Sequence, residues 1–127
     1  AGAAHTCGVR SDGSALCWGD WHYGQTAVPP GARFRSVSAG YFHNCGVQTN
    51  DEVACWGAGG GSGNYDFGQA TPPPGVYNWT LVSAGNLHSC GLRNGTLLCW
   101  GSDSHGQATP PALPTGVAWT AVTAGLL

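Results

Sequence analysis

The chain has 127 residues, one domain's worth or less, with a net charge of −2. Leu, Val and Phe together number 21 and Ile and Met are absent, so any core must lean on six Trp and four Tyr. All four basic residues are Arg (Arg10, Arg33, Arg35, Arg93), which leaves no basic stripe for nucleic acid, and no apolar run approaches the ~20 residues of a membrane span.

Taken in chain order, the elements repeat. "AGAAHTCGV" at 1–9 leads through a turn to "CWG" at 17–19, a short "DWHY" loop, Gly24-Gln25 and the proline stretch "VPPGARF". "AGYFHNCGV" at 39–47 leads to "CWG" at 55–57, the long loop "AGGGSGNYDF", Gly68-Gln69 and "TPPPGVYNW". "AGNLHSCGL" at 84–92 leads to "CWG" at 99–101, "SDSH", Gly106-Gln107 and "TPPALPTGVAW", and "AGLL" opens again at 124. The units are therefore 1–38, 39–83 and 84–123, with 124–127 beginning a fourth. Periods in this range mark propellers, solenoids or arrays. No run of ten residues shows helical periodicity, and Gly (22) and Pro (8) punctuate the chain throughout, so the expected class is all-β, built of short antiparallel strands.

Turn chemistry sets the register of each hairpin. Cys90 and Cys99 lie symmetrically about Asn94-Gly95, a two-residue type I′ signal that puts 90 opposite 99 and 88 opposite 101. Cys7/Cys17 and Cys45/Cys55 enclose one residue more, matching three-residue turns at Ser11-Asp12-Gly13 and Thr49-Asn50-Asp51. The pairing predicts three disulfides, Cys7–Cys17, Cys45–Cys55 and Cys90–Cys99, and with them an oxidising, extracellular or cell-surface location. Free thiols are one alternative. Zinc is another, since each unit offers His-x-Cys and a second Cys, but a fourth ligand does not recur at metal-like spacing. No cofactor is expected.

Strand alternation places His5, Cys7 and Val9 on one face and Thr6, Gly8 and Arg10 on the other. Trp18, Trp56 and Trp100 each fall beside a glycine (Gly8, Gly46, Gly91), which reads as room for the indole to lie over the backbone and as a core role. A ligand platform is the alternative for these indoles. His5, His43 and His88 read as buried hydrogen-bonding residues ahead of catalytic bases.

In this order the landmarks A-G-x-x-H, D-G, W-G and G-Q resemble the regulator of chromosome condensation repeat family along essentially the whole chain. The resemblance implies a β-propeller of about seven four-stranded blades. Three repeats are an open array or part of a larger ring or superhelix. Paired cysteines depart from the nuclear members and fit an extracellular variant. Function does not follow from the scaffold, whose members include a chromatin-bound exchange factor and a β-lactamase inhibitor.

"WTAVTAG" at the end of the chain and "AAHTCGV" near its start would together regenerate one repeat junction. The expected partners are therefore flanking repeats or copies of the same chain, joined head to tail. Asn78-Trp79-Thr80 and Asn94-Gly95-Thr96 are N-glycosylation sequons. The residues before each Gly-Gln vary, and Trp21, His22, Tyr23, Tyr65, Asp66, Phe67 and His105 are candidates for binding a sugar or apolar partner. Packing between blades is the alternative for these aromatics. Glu52, the only Glu, and the loop aspartates form no recurring catalytic arrangement. The leading expectation is a non-enzymatic extracellular structural module, assembling into a glycosylated fibre; the alternative is a carbohydrate- or protein-binding module.

Overall fold

Two-residue and three-residue turns decide where the strands pair. A computed structural model describes residues 1–59 and 65–126; the middle of the glycine-rich loop and Leu127 lie outside the described residues. Within them the chain forms eight strands and no helix: β1 (His5–Val9), β2 (Ala15–Gly19), β3 (Phe34–Ala39), β4 (His43–Gln48), β5 (Val53–Gly57), β6 (Leu81–Ala84), β7 (His88–Arg93) and β8 (Thr96–Gly101). They make three antiparallel sheets, β1-β2, β3-β4-β5 and β6-β7-β8.

Arg93 pairs with Thr96 across Asn94-Gly95, both of which take left-handed φ (49° and 74°), as a type I′ turn requires. In the other two hairpins the left-handed position falls to Gly13 (φ 86°) and Asp51 (φ 67°). Cys7 pairs with Cys17, Cys45 with Cys55 and Cys90 with Cys99, and each pair is bridged by a disulfide.

Ala39 and Ala84, of the second and third AG dipeptides, end β3 and β6, so these two sheets are offset from the sequence repeats. Sheet β3-β4-β5 draws β3 almost wholly from residues before Ala39 and its hairpin from residues after Gly40. One blade thus stitches two successive repeats together.

Among the described residues the sheets have two, three and three strands, where the family resemblance implies four. After β5 and β8 the chain enters Gly-Gln turns with φ of 76° at Gly68 and 78° at Gly106, then prolines that cannot donate to a ladder. The proline connectors instead pack their apolar residues on the cores, as Val28, Ala32 and Val76 do.

The cores sit between blades. Phe34 and Trp56 pack with Cys17 and Cys7 of the preceding hairpin, and Trp79 and Trp100 pack with Cys45, Val47 and Cys55. Two expectations need correction here. Trp56 and Trp100 are buried, but Trp18 is 54% exposed, and among the described residues its indole N–H has no carbonyl partner of the kind that Gln25 and Gln69 supply. At Gly46 and Gly91 the nearest ring is not the indole that follows in the same hairpin. A Cβ on Gly46 would lie 2.6 Å from the Phe34 ring, and one on Gly91 would lie 2.3 Å from Trp79. The nearest ring belongs to the segment entering the blade's first strand: Phe34 opens β3, and Trp79 lies two residues before β6.

Candidate interaction sites

Gly-Gln turns bring two kinds of site together: a polar junction between repeats and an exposed aromatic face. At the junction, the Gln25 side chain ties its own loop, with Oε1 accepting from the Tyr23 N–H (2.7 Å) and Nε2 donating to Asp20 (3.1 Å). Its carbonyl accepts from Asn44 Nδ2 at 2.6 Å and from the Trp56 indole N–H at 3.1 Å, both in the next blade. Gln69 repeats the arrangement, its carbonyl accepting from Ser89 Oγ and the Trp100 indole, both at 2.9 Å. Both glutamines are fully buried, so these bonds form away from water, where leaving either partner unpaired is costly.

Histidine closes the relay. Because Asn44 donates through Nδ2, its Oδ1 must accept, so His5 donates through Nε2 at 2.7 Å. Ser89 Oγ gives its only proton to Gln69, so it likewise accepts from His43 Nε2 at 2.7 Å. Both rings therefore carry a proton on Nε2. Nδ1 of His5, His43 and His88 is buried with no hydrogen-bond partner among the described residues. A second proton there would have no acceptor. Burial lowers the His43 pKa to about 4, with smaller contributions from His88 and His5, and burial lowers that of His88 as well.

Four aromatic rings make the exposed face. Phe42 contacts Tyr23, Tyr41 and Tyr65 with centroids 4.7, 4.5 and 4.7 Å apart, and Tyr23 meets Tyr65 edge-on at 5.4 Å. Tyr23, Tyr41 and Tyr65 remain partly open to solvent. Of the sequence candidates, only Tyr23 and Tyr65 come together here. Trp21, 67% exposed, stacks on His22, whose Nδ1 bonds Asp20. That bond holds the Asp20 pKa below its usual value.

Asp66 caps its own turn through the Gly68 N–H, Phe67 is exposed, and His105 lies apart beside Ser104 (3.0 Å). Sequence reasoning missed Tyr41 and Phe42. The available signal was that the variable pair of A-G-x-x-H is Ala-Ala and Asn-Leu in the other two copies. Asn78 and Asn94 are both exposed, with left-handed φ of 64° and 49°.

A shallow cleft of about 300 Å³ runs along the AG turns, lined by Gly2, Gly40, Tyr41, Gly85 and Asn86 among others. Its glycines are there for backbone approach, since a Cβ on Gly40 would fall 2.3 Å from the Gly85 carbonyl. No cluster of His, Cys, Asp or Glu suited to a metal occurs among the described residues.

The regulator of chromosome condensation (RCC1) repeat description matches residues 1–25, 34–69 and 79–107. Among solved structures, the ectodomain of the Physcomitrella patens receptor kinase CR4 is 30% identical with a TM-score of 0.73, over 98% of this chain and 32% of that one. The CRINKLY WD40 ectodomain of the Arabidopsis thaliana receptor kinase ACR4 is 28% identical with a TM-score of 0.71, over 99% of this chain and 41% of that one. Prp20p from Saccharomyces cerevisiae, at 18% identity and a TM-score of 0.72 over 96% of this chain and 37% of that one, shares the fold. The chain thus spans well under half the length of each. No curated protein sequence matches it.

Proposed function

The chain belongs to the regulator of chromosome condensation repeat family, and from that premise we propose that it is a non-enzymatic extracellular structural module whose blades dock on neighbouring repeats. Disulfides in every hairpin and the likeness to two receptor-kinase ectodomains support an oxidising, extracellular setting. The relay across each junction carries the structural reading. Trp56 and Trp100 are each tied to the carbonyl of the preceding repeat, and Trp18 is the same residue without that tie. Asn78 and Asn94 are exposed, and glycans there would face the solvent around an array.

Radical footprinting of tryptophan in the native extracellular material tests the reading. Trp18 is expected to be as protected as Trp56 and Trp100, with the exposed Trp21 as the reactive standard. Oxidation of Trp18 as fast as Trp21 in that material would remove the structural role. The second reading, a binding module, draws on the aromatic face of Tyr23, Tyr41, Phe42 and Tyr65. Ring faces flanked by tyrosine hydroxyls suit a sugar, and that activity would show as saturable retention of the monomer on a glycan column.

A further inference from the structure

We propose that Tyr23 and Tyr65 form an oxidative modification site: hydrogen peroxide, acting through a haem peroxidase, couples the two rings into a dityrosine that ties the first repeat to the second. The site goes beyond the structural reading above and stands on contacts between two internal loops.

Two Gly-Gln turns build the pair. The Tyr23 N–H donates to the Gln25 side chain at 2.7 Å, and the Gln69 side chain donates to the Tyr65 carbonyl at 2.6 Å. Both glutamines are fully buried, so each tyrosine's backbone is fastened to a fixed point. Across the junction the two rings meet edge-on, with centroids 5.4 Å apart and planes at 89°. Phe42 packs against both at 4.7 Å. It has no hydroxyl to oxidise, so it steadies the pair without competing for the radical.

Exposure supplies the second requirement. Tyr23 is 36% and Tyr65 39% exposed, so an oxidant reaches both residues. Both lie on loops, which leaves the rings room to tilt until their ortho carbons meet. The other two tyrosines are placed differently. Among the described residues Tyr41 has Phe42 as its ring neighbour, and Tyr77 lies on a proline connector, where its carbonyl accepts from Arg93 Nε at 2.6 Å.

Each phenol gives up one electron and one proton, and the peroxide takes two of each and is reduced to two waters. The two phenoxyl radicals join at the ring carbons ortho to oxygen. One C–C bond forms, both ortho C–H bonds break as the rings regain aromaticity, and those protons return to the phenolic oxygens. The chain loses one H2 overall. Rings held side by side react at an effective concentration far above that of a dilute protein, so coupling within one molecule outruns coupling between molecules. All three disulfides close hairpins inside a repeat, whereas this bond spans a junction.

The test treats the purified, dilute chain with hydrogen peroxide and a haem peroxidase, for wild type, Tyr23→Phe, Tyr65→Phe and Tyr41→Phe. Wild type and Tyr41→Phe are expected to stay monomeric, gain dityrosine fluorescence and lose the mass of one H2. Tyr23→Phe and Tyr65→Phe keep the rings and their packing and are expected to do neither. Arg33 and Arg35 stand between the two tyrosines, so trypsin acting on the reduced chain should leave their peptides joined only when the bond has formed. Absence of intramolecular dityrosine in the folded wild type overturns the proposal, as does its formation in Tyr65→Phe to the wild-type extent. An equal yield from reduced, unfolded chain also overturns it, because the fold would then not be what pairs the rings.

Discussion

Neutral histidine is the most pH-sensitive component of the junction. His43 donates through Nε2 and has no acceptor at Nδ1, so protonation would place an unpaired charge in a dry interface. Its pKa is depressed to about 4 in the folded chain, whereas the unfolded chain takes up the proton near 6.5. Stability is therefore full above pH 6.5 and declines as pH falls towards 4, by about 3 kcal/mol for this group. Denaturant midpoints at pH 7.5 and 5 should differ in that direction, and the His43 ring proton should not shift between them. A His43 resonance titrating near 6.5 would contradict the relay. Strand alternation pointed to burial of these rings, but not to the donor chain that fixes their tautomer. That chain runs through Gln25 and Gln69 carbonyls, and backbone groups carry no sequence mark.

Blades are held apart or together by single glycines. Gly46→Ala would drive a methyl group into the Phe34 ring, where Ser36 O also lies at 2.9 Å, and should cost about 1–3 kcal/mol as an overpacked core does. Gly8→Ala, at the equivalent position of β1, should leave stability of the isolated chain within about 0.5 kcal/mol. Chemical denaturation of the pair checks this, and equal effects would mean the two hairpins are not equivalent. Hairpins and their register were legible because turn residues such as Asn94-Gly95 act locally. Which ring each glycine serves was not, because Phe34 and Trp79 arrive from the preceding repeat across a proline connector of no fixed pattern. Among the described residues no fourth strand forms in the proline connectors, where proline offers no ladder donor.

At the scale of the whole chain, aliphatic poverty is offset by covalent closure. Each bridge closes a loop of nine or ten residues and is expected to contribute about 2.5–3 kcal/mol in the chain-entropy view. Mild reductant should lower the unfolding midpoint by several degrees for each bridge lost. An unchanged midpoint after full reduction would place the stability elsewhere. Composition alone pointed to a thin core leaning on Trp, while the location of that core between blades depended on contacts no single repeat contains. All three bridges lie inside hairpins, and no sulfur joins one blade to another. A pull along the chain would therefore part the blades without cleaving a covalent bond, while every hairpin withholds roughly 30–35 Å of contour from stretching. Stretched singly, the chain is expected to yield in steps at its blade junctions and to stop short of its full contour length.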